Sequence, residues 1–227
     1  MDNLICNLSR NLIGIISYLP DDKDKRMHRF VGLVDLIHTC NKIFNYELHI
    51  FVLIQNYTEN EILALYRIPN VECSFNYPKL GIVGARRQLR NEFLNGHYEN
   101  LIMLDDDSVI EGNSVGGKKY IEQLDNHPGM FYEFQDTLLK LFAISKEVFA
   151  EQDFIDVNPE KEEGFEDRVF VSVLRHKFPN KRYVFEKNGL QESSISTSDK
   201  MSTWYTNQDN KKMLNNTEEI INKIITC

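Results

Sequence analysis

The sequence has neither a long uninterrupted hydrophobic run nor an excess of positive charge. No stretch approaches the roughly 20 apolar residues of a membrane-spanning helix. The start, MDNLICNLSRNLIGIISYLP, lacks the basic beginning and apolar core of a signal peptide. The formal net charge is −8, which disfavours a surface built for nucleic acid or anionic lipid. We therefore expect a cytoplasmic protein without a membrane span.

Cysteine is also scarce, with 4 residues among 227. The cysteines Cys6, Cys40, Cys73 and Cys227 are far apart and form no CxxC pair, so we assign them neither a metal nor a disulfide. Internal repeats and long low-complexity linkers are missing as well. The length and the ordinary globular composition fit one α/β domain, or one domain with a small appendage.

The first ~107 residues alternate apolar runs with segments of helical periodicity. Strands are predicted at 12–18, 46–56, 70–76 and 100–107, and helices at 29–44, 58–68 and 79–96. Thr58 and Glu61 have the spacing of a capping box at the start of the second helix. This alternation predicts an α/β, Rossmann-like fold in which helices flank a mostly parallel sheet.

Beyond residue 107 the pattern is less regular. Strands are predicted at 129–134, 137–145 and 181–187, with one helix from Lys146 to about Gln152 and another from near Phe165 to before Pro179. The polar composition of residues 190–203 indicates a flexible loop, and residues 210–226 form an amphipathic pattern. We expect this last segment to be a helix that packs on the body.

Three consecutive aspartates, Asp105, Asp106 and Asp107, directly follow the apolar run LIML. Adjacent carboxylates repel each other, and a bound cation relieves that repulsion. In extended backbone Asp105 and Asp107 point to one side and Asp106 to the other. Ligands bind at the carboxyl ends of strands in such sheets, so two carboxylates there suit Mg²⁺ or Mn²⁺ shared with substrate phosphates. The alternative is a solvated acidic turn.

Two other charged clusters suggest chemistry. In GARRQLR, Arg86 and Arg90 share a face if a helix opens at Gly84, and arginines beside the free amides of a helix start can grip a diphosphate. In EEGFED, Glu166 and Asp167 stand at the start of a predicted helix, where a carboxylate can act as general base. The alternatives are an exposed basic helix face and plain helix capping.

These motifs, in this order, resemble the family two, GT-A type, nucleotide-sugar glycosyltransferases. Their pattern is G-x-x-x-A-R-N, then D-x-D after a buried strand, then an E-D pair before a helix. This chain has GIVGARRQ at 81–88, LDDD at 104–107 and GFEDRVF at 164–170. The resemblance covers about residues 12–185 and implies a single GT-A domain at 1–189. Its nucleotide-binding half would be 1–110 and its acceptor half 111–189, followed by a lid loop and C-terminal helix at 190–227.

The resemblance also implies an activity. It is the metal-dependent transfer of a sugar, of the hexosyltransferase type, from a nucleotide-diphosphate sugar to a hydroxyl acceptor. UDP is the favoured nucleotide, inversion the favoured stereochemistry, and Mn²⁺ or Mg²⁺ the expected cofactor. The acceptor stays open among a glycan, a lipid-linked sugar and a nucleic-acid base.

Residue roles follow from the same resemblance. Asp107, with Asp105, would hold the metal that bridges the donor phosphates. Asp167 would be the catalytic base, and Glu166 is the alternative candidate for that role. The residues that would contact the nucleotide sugar are Ser17, Tyr18, Pro20, Gln55, Arg86, Arg90, Asp105 and Asp106.

The chain departs from the family at three positions. Gln55 and Asn56 stand where an Asp usually closes the second strand to hold uracil, and Arg87 replaces the Asn that follows the motif arginine. The identity of the base is therefore open. Trp204, the single tryptophan, lies with Tyr205 at the end of the segment 193–205. It is a candidate lid or acceptor contact, or else an anchor that pins the loop to the body.

Three alternative functions stay open. A nucleotidyltransferase would carry a glycine-rich loop after the first strand, where this chain has SYLPDDKDKR. A non-catalytic nucleotide-sugar-binding relative would keep the fold without the reaction. A glycosyltransferase that modifies nucleic-acid bases would need a local basic strip. Candidates for that strip are Lys118, Lys119, Arg175, Lys177, Lys181 and Arg182.

Overall fold

The computed structural model describes residues 9–133, 141–155, 166–185, 189–194 and 221–222. The first half contains β1 (Asn11–Tyr18), α1 (Lys23–Ile43), β2 (His49–Gln55), α2 (Glu59–Tyr66), β3 (Val71–Cys73), α3 (Gly81–Asn95) and β4 (Asn100–Asp105). The second half contains β5 (Ser108–Glu111), α4 (Ser114–Asn126), β6 (Phe131–Glu133), β7 (Phe142–Ser145), α5 (Lys146–Glu151), α6 (Glu166–Lys177), a 3₁₀ turn (Pro179–Lys181), β8 (Arg182–Val184) and β9 (Gln191–Ser194).

Seven strands form one mixed sheet in the order β3-β2-β1-β4-β7-β6-β8. β1 pairs in parallel with β2 and β4, and β2 with β3, while β7 runs antiparallel to β4 and β6. β1 and β4 are almost entirely buried, as expected of strands covered on both faces. The predicted α/β architecture with a mostly parallel sheet is confirmed.

Helices cover both faces of the sheet through two hydrophobic clusters. One cluster contains side chains of α1, α2 and α4, including Leu33, Leu65 and Leu124. The other contains side chains of α3, α5 and α6, including Phe93 and Phe149. The predicted capping box is confirmed as well, because the Thr58 hydroxyl and the Glu61 carboxylate each accept the other residue's backbone N–H.

Three elements differ from the sequence expectation. β5 and α4 were not predicted, and Gln191–Ser194 forms β9 instead of an irregular loop. β9 pairs antiparallel with β5, about eighty positions earlier in the chain, and local periodicity carries no sign of such a partner. The first turn of α4 contains two glycines, Gly116 and Gly117, which weaken helix propensity. Trp204 and all but two residues of the predicted C-terminal helix lie outside the described residues.

The register of the central strands brings their carboxyl ends to one edge. Tyr18 is the register partner of Gln55 on β2, and Ile16 is the partner of Asp105 on β4. The polar residues that end three separate strands therefore converge. Within the described ranges, no helix is both long and apolar enough to cross a membrane.

Candidate active site

A cleft of about 300 Å³ opens at the carboxyl edge of β1, β2 and β4. Six of the predicted site residues line it: Ser17, Tyr18, Gln55, Asp105, Asp106 and Asp107. The other lining residues are Ile16, Arg29, Lys79, Gly81, Ile82 and Ala85. The six predicted residues thus come from three separate sequence segments and meet in one concave site.

All three aspartates line this cleft. β4 ends at Asp105, and Asp106 and Asp107 form the turn that leads into β5. As predicted, Asp105 and Asp106 point to opposite faces of the sheet, because Asp105 contacts Arg86 of α3 whereas Asp106 lies beside Arg29 of α1. Asp106 is buried and accepts hydrogen bonds from the Ser17 hydroxyl at 2.7 Å and the Tyr18 N–H at 3.3 Å. It therefore ties the acidic turn to the end of β1.

The protonation of Asp106 is set mainly by its burial. Burial raises the pKa of Asp106 to about 6, although the Arg29 guanidinium 4.0 Å away and the Ser17 hydroxyl act to lower it. The charges of Asp105 and Asp107 push this pKa further upward. A cation bound among these carboxylates would oppose that effect and favour the ionised form.

Asp105 faces Arg86 of α3. The Arg86 Nη2 lies 3.2 and 3.3 Å from the two carboxylate oxygens, and the guanidinium also lies over the Phe154 ring, 5.7 Å from its centre. Arg86 is almost fully buried, whereas 44% of the Asp105 side chain is exposed to the cleft. Desolvation by the surrounding protein raises the pKa of Asp105, while the charge of Arg86 acts to lower it.

The predicted base also belongs to this neighbourhood. Asp167 lies in the first turn of α6, and its carboxylate accepts the Arg168 N–H at 2.7 Å. The charge of Asp167, together with that of Asp107, helps to raise the pKa of Asp105, so Asp167 is close enough to act on the acidic turn. Glu166 begins α6, and its side chain lies outside the described part of the molecule.

Tyr18 and Gln55, the last residues of β1 and β2, also line the cleft. The Lys79 ammonium lies 5.7 Å from the centre of the Tyr18 ring. The Gln55 Oε1 accepts the Leu80 N–H at 2.8 Å, while its Nε2 lies 3.5 Å from the Ser17 carbonyl oxygen. Because a backbone N–H can only donate, this contact fixes the orientation of the Gln55 carboxamide.

The loop after β1 is fastened by Asn56 and Arg26. Asn56 adopts a φ of 62°, and its Nδ2 donates to the Leu19 carbonyl at 2.8 Å and to Asp21 at 2.9 Å. Arg26 donates to the Pro20 carbonyl at 3.4 Å. Pro20 does not line the cleft. Its loop supports the wall that carries Tyr18.

The arginines of GARRQLR separate in the structure. Arg90 donates to the carbonyls of Phe149 and Ala150 at 2.8 and 2.9 Å, so it fastens α3 to α5 and does not line the cleft. Arg87 donates to the Phe154 carbonyl. Arg90 lies one helical turn further along α3 than Arg86, and this displacement moves its side chain away from the three aspartates. Of these three arginines, only Arg86 contacts an aspartate of the acidic turn.

Sequence reasoning missed two basic residues of the cleft, Arg29 and Lys79. Arg29 lies on α1, where it donates to the Tyr18 carbonyl at 3.2 Å beside Asp106. Lys79 lies just before Gly81, whose φ of 69° begins α3. Three adjacent aspartates require positive charge nearby, so the sequence does predict that basic residues lie close to them. The sequence offers several basic residues near each position, so it does not single these two out.

The described residues contain no group of three His, Cys, Asp or Glu side chains that could hold a metal ion by itself. Asp105 and Asp107 do line one cleft. Mg²⁺ and Mn²⁺ sites often use only one or two protein carboxylates and complete their coordination with water and substrate phosphates. The donor set therefore fits a metal shared with a bound diphosphate, and not a closed protein site.

Part of the candidate basic strip for nucleic acid is paired with acidic residues. Arg175 and Arg182 both bind the buried Glu133 carboxylate. Lys181 binds Glu147, Lys177 donates to the Glu151 carbonyl, and Lys118 lies 3.9 Å from Glu122. These contacts give no support to a nucleic-acid acceptor.

No protein-family model matches the sequence, and no curated protein matches it. Solved structures do match. S. aureus TarS 1–349 in complex with UDP-GlcNAc aligns with a TM-score of 0.59 and 14% identity, covering 93% of this chain and 65% of that one. The complex of TarS 1–349 with UDP aligns with a TM-score of 0.53 and 15% identity, covering 79% and 59%.

These likenesses establish the fold. The chain has the GT-A fold, as predicted. The chain spans less than two thirds of the TarS 1–349 structures that it matches.

Proposed function

We propose that this protein is a glycosyltransferase that moves a sugar from a nucleotide-diphosphate donor, with UDP favoured, to a hydroxyl acceptor. One observation carries the proposal. The acidic turn lines a cleft at the carboxyl edge of a GT-A sheet, where Arg86 pairs with Asp105 and the charge of Asp167 acts on the same carboxylate. TarS, which shares this fold, has been crystallised with UDP-GlcNAc and with UDP.

The donor would lie along the cleft. Tyr18, beside Lys79, offers an aromatic ring on which a base can stack, and Gln55 lines the same cleft. Asp105 and Asp107 would hold Mn²⁺ or Mg²⁺ at the diphosphate. The metal, when bound, would offset the charge that develops on the leaving diphosphate.

Other residues of the chain fix this arrangement before the donor arrives. Arg86 holds both oxygens of Asp105, so that carboxylate is oriented from inside the protein. Asp106 holds the end of β1 through Ser17 and Tyr18. Preorganised charges of this kind require little rearrangement during the reaction, which is the main source of electrostatic catalysis.

Asp167 would supply the proton acceptor. As the acceptor oxygen attacks the anomeric carbon, its proton passes to the Asp167 carboxylate and the bond to the diphosphate oxygen breaks. The diphosphate leaves with the bonding electrons. A single displacement from the opposite side inverts the configuration, as in single-step glycosidases.

Calorimetric titration with UDP, GDP and their sugar conjugates, with and without MnCl₂, tests the donor site. We expect wild-type protein to bind one nucleotide class only when Mn²⁺ is present, and D107A to lose that binding. E111A is the matched control, because Glu111 is an exposed acid on the adjoining strand β5. Absence of any nucleotide binding by wild-type protein in MnCl₂ would overturn the donor site.

A further inference from the structure

A chain of hydrogen bonds links the acidic turn to strand β9. The backbone N–H of Asp105 donates to the Ser108 Oγ at 3.2 Å. The Ser108 hydroxyl donates in turn to the Glu192 Oε1 at 2.6 Å. The other carboxylate oxygen of Glu192 accepts the backbone N–H of Leu141. Three distant segments of the chain thus meet at one carboxylate.

The pairing of β5 with β9 explains why Glu192 reaches this position. Glu192 is the register partner of Ile110, and Ser194 is the partner of Ser108. Residues two apart on a strand share a face, so Glu192 lies on the face of Ser108 and Ile110, both of which are buried. The charge of Glu192 also helps to raise the pKa values of the buried Cys40 and Tyr120. The carboxylate therefore faces the protein interior.

Leu141 gives Glu192 a fixed anchor. Its backbone adopts a φ of 45°, which is uncommon for a bulky residue. The Tyr120 hydroxyl donates to the Leu141 carbonyl at 2.7 Å, while Glu192 accepts the Leu141 N–H. Both polar groups of this backbone unit are thus satisfied by side chains from other elements. The chain of hydrogen bonds from Asp105 to Glu192 is therefore anchored at Leu141 in the body of the domain.

We propose that Glu192 is a positioning residue for the metal-binding turn. Acting through Ser108, it holds the Asp105 amide and so sets the direction in which the Asp105 and Asp107 carboxylates enter the cleft. This inference rests on the proposed function. Residues that orient metal ligands typically contribute 10–100-fold to metal affinity or activity.

The chemistry of the contact requires a carboxylate. The Ser108 O–H and the Leu141 N–H are both donors, and each meets a different oxygen of Glu192. A glutamine has one acceptor oxygen, so its amide group would turn N–H toward one of the two donors. Glu192→Gln therefore keeps the size of the side chain but loses one end of the link.

The experiment compares wild-type protein with E192Q, S108A and S108A/E192Q. The matched control is Q191A, because Gln191 is the exposed neighbour on the same strand. Besides thermal unfolding, two quantities are measured for each variant. They are the rate of hydrogen exchange of the Asp105 amide without ligand and the affinity for UDP in the presence of MnCl₂. We expect exchange at Asp105 to become at least tenfold faster in E192Q and S108A, and UDP affinity with Mn²⁺ to fall at least tenfold. Q191A should match wild type.

Ser108 provides a second route if E192Q does not fold, since S108A removes only the bridging hydroxyl. The double variant should bind UDP no more than about twofold more weakly than S108A, because both substitutions break one link. If the Asp105 amide of folded S108A or E192Q exchanges at the same rate as in the wild-type protein, the positioning role is overturned. That readout needs no ligand, so it is separate from a failure of nucleotide binding, which would overturn the proposed function.

Discussion

Arg86 and Asp105 form an ion pair in which the cation is buried and the anion faces the cleft. The guanidinium lies 3.2 and 3.3 Å from the two oxygens of Asp105. Arg86 is 5% exposed, whereas the Asp105 side chain is 44% exposed. The arginine predicted from the motif thus acts on the carboxylate predicted to bind metal. Its contact with the donor stays a prediction.

Removing Arg86 should weaken the donor site in a pH-dependent way. Arg86 acts to lower the pKa of Asp105 against the effect of desolvation, so R86A raises that pKa further and leaves less ionised carboxylate for a metal. We expect UDP affinity with Mn²⁺ to fall at least tenfold near pH 6 and to recover partly as the pH rises. R90K is the control, because Arg90 contacts carbonyls of α5. Equal losses in R86A and R90K would contradict this assignment.

Asp106 should make the protein less stable as the pH rises. Its pKa is raised from 3.8 to about 6 in the folded protein, so the folded state binds more protons than the unfolded chain between those values. Stability conferred by the neutral form is full below the unfolded pKa and is lost as pH rises through about 6. Two pKa units correspond to about 3 kcal/mol.

The variant that tests this is D106N. Both hydrogen bonds from β1 go to one oxygen of Asp106, so an asparagine oxygen can accept them. We expect D106N to match wild type near pH 4 and to be more stable by up to about 3 kcal/mol at pH 7. Urea unfolding from pH 4 to 8 without divalent metal measures the difference. Parallel pH profiles would show that Asp106 does not titrate in this range.

Glu133 should be important for stability. It is 1% exposed and binds both Arg175 and Arg182, which are more than a third exposed. E133Q leaves two guanidinium groups without their shared anion, and we expect a loss of about 3 kcal/mol, the lower end for a broken buried pair. E147Q breaks the exposed pair with Lys181 and should cost less than about 1 kcal/mol. Similar losses in urea unfolding for the two variants would contradict the expectation.

Gly117 allows α4 to approach the end of α1. A Cβ at this position would lie 2.2 Å from the backbone carbonyl oxygen of Ile43, so the helices would have to separate. G117A should therefore destabilise the protein by about 1–3 kcal/mol, although alanine favours helix. E122A, at an exposed position of α4, is the control. A loss below about 0.5 kcal/mol would mean that the helices separate easily.

The acidic site shows where sequence reasoning stops. The run LIMLDDD correctly placed three carboxylates at a strand end, because an apolar run followed by charge marks where a buried strand leaves the core. The predicted opposite directions of Asp105 and Asp106 are found as well, since Asp105 contacts Arg86 of α3 and Asp106 lies beside Arg29 of α1. Arg29 and Lys79 were missed, since their positions depend on how α1 and the loop before α3 meet the sheet.

The sequence by itself determined the alternation of strands and helices up to Asp105, the capping box of Thr58 and Glu61, and the order of the charged motifs. These features depend on neighbours within a few residues, so periodicity and short spacings reveal them. Only the tertiary structure decided that Arg86 and not Arg90 contacts the acidic turn, and that Glu192 on β9 reaches Ser108. Those contacts join segments far apart in the chain. They form only when packing fixes the register of the strands and the direction of each side chain.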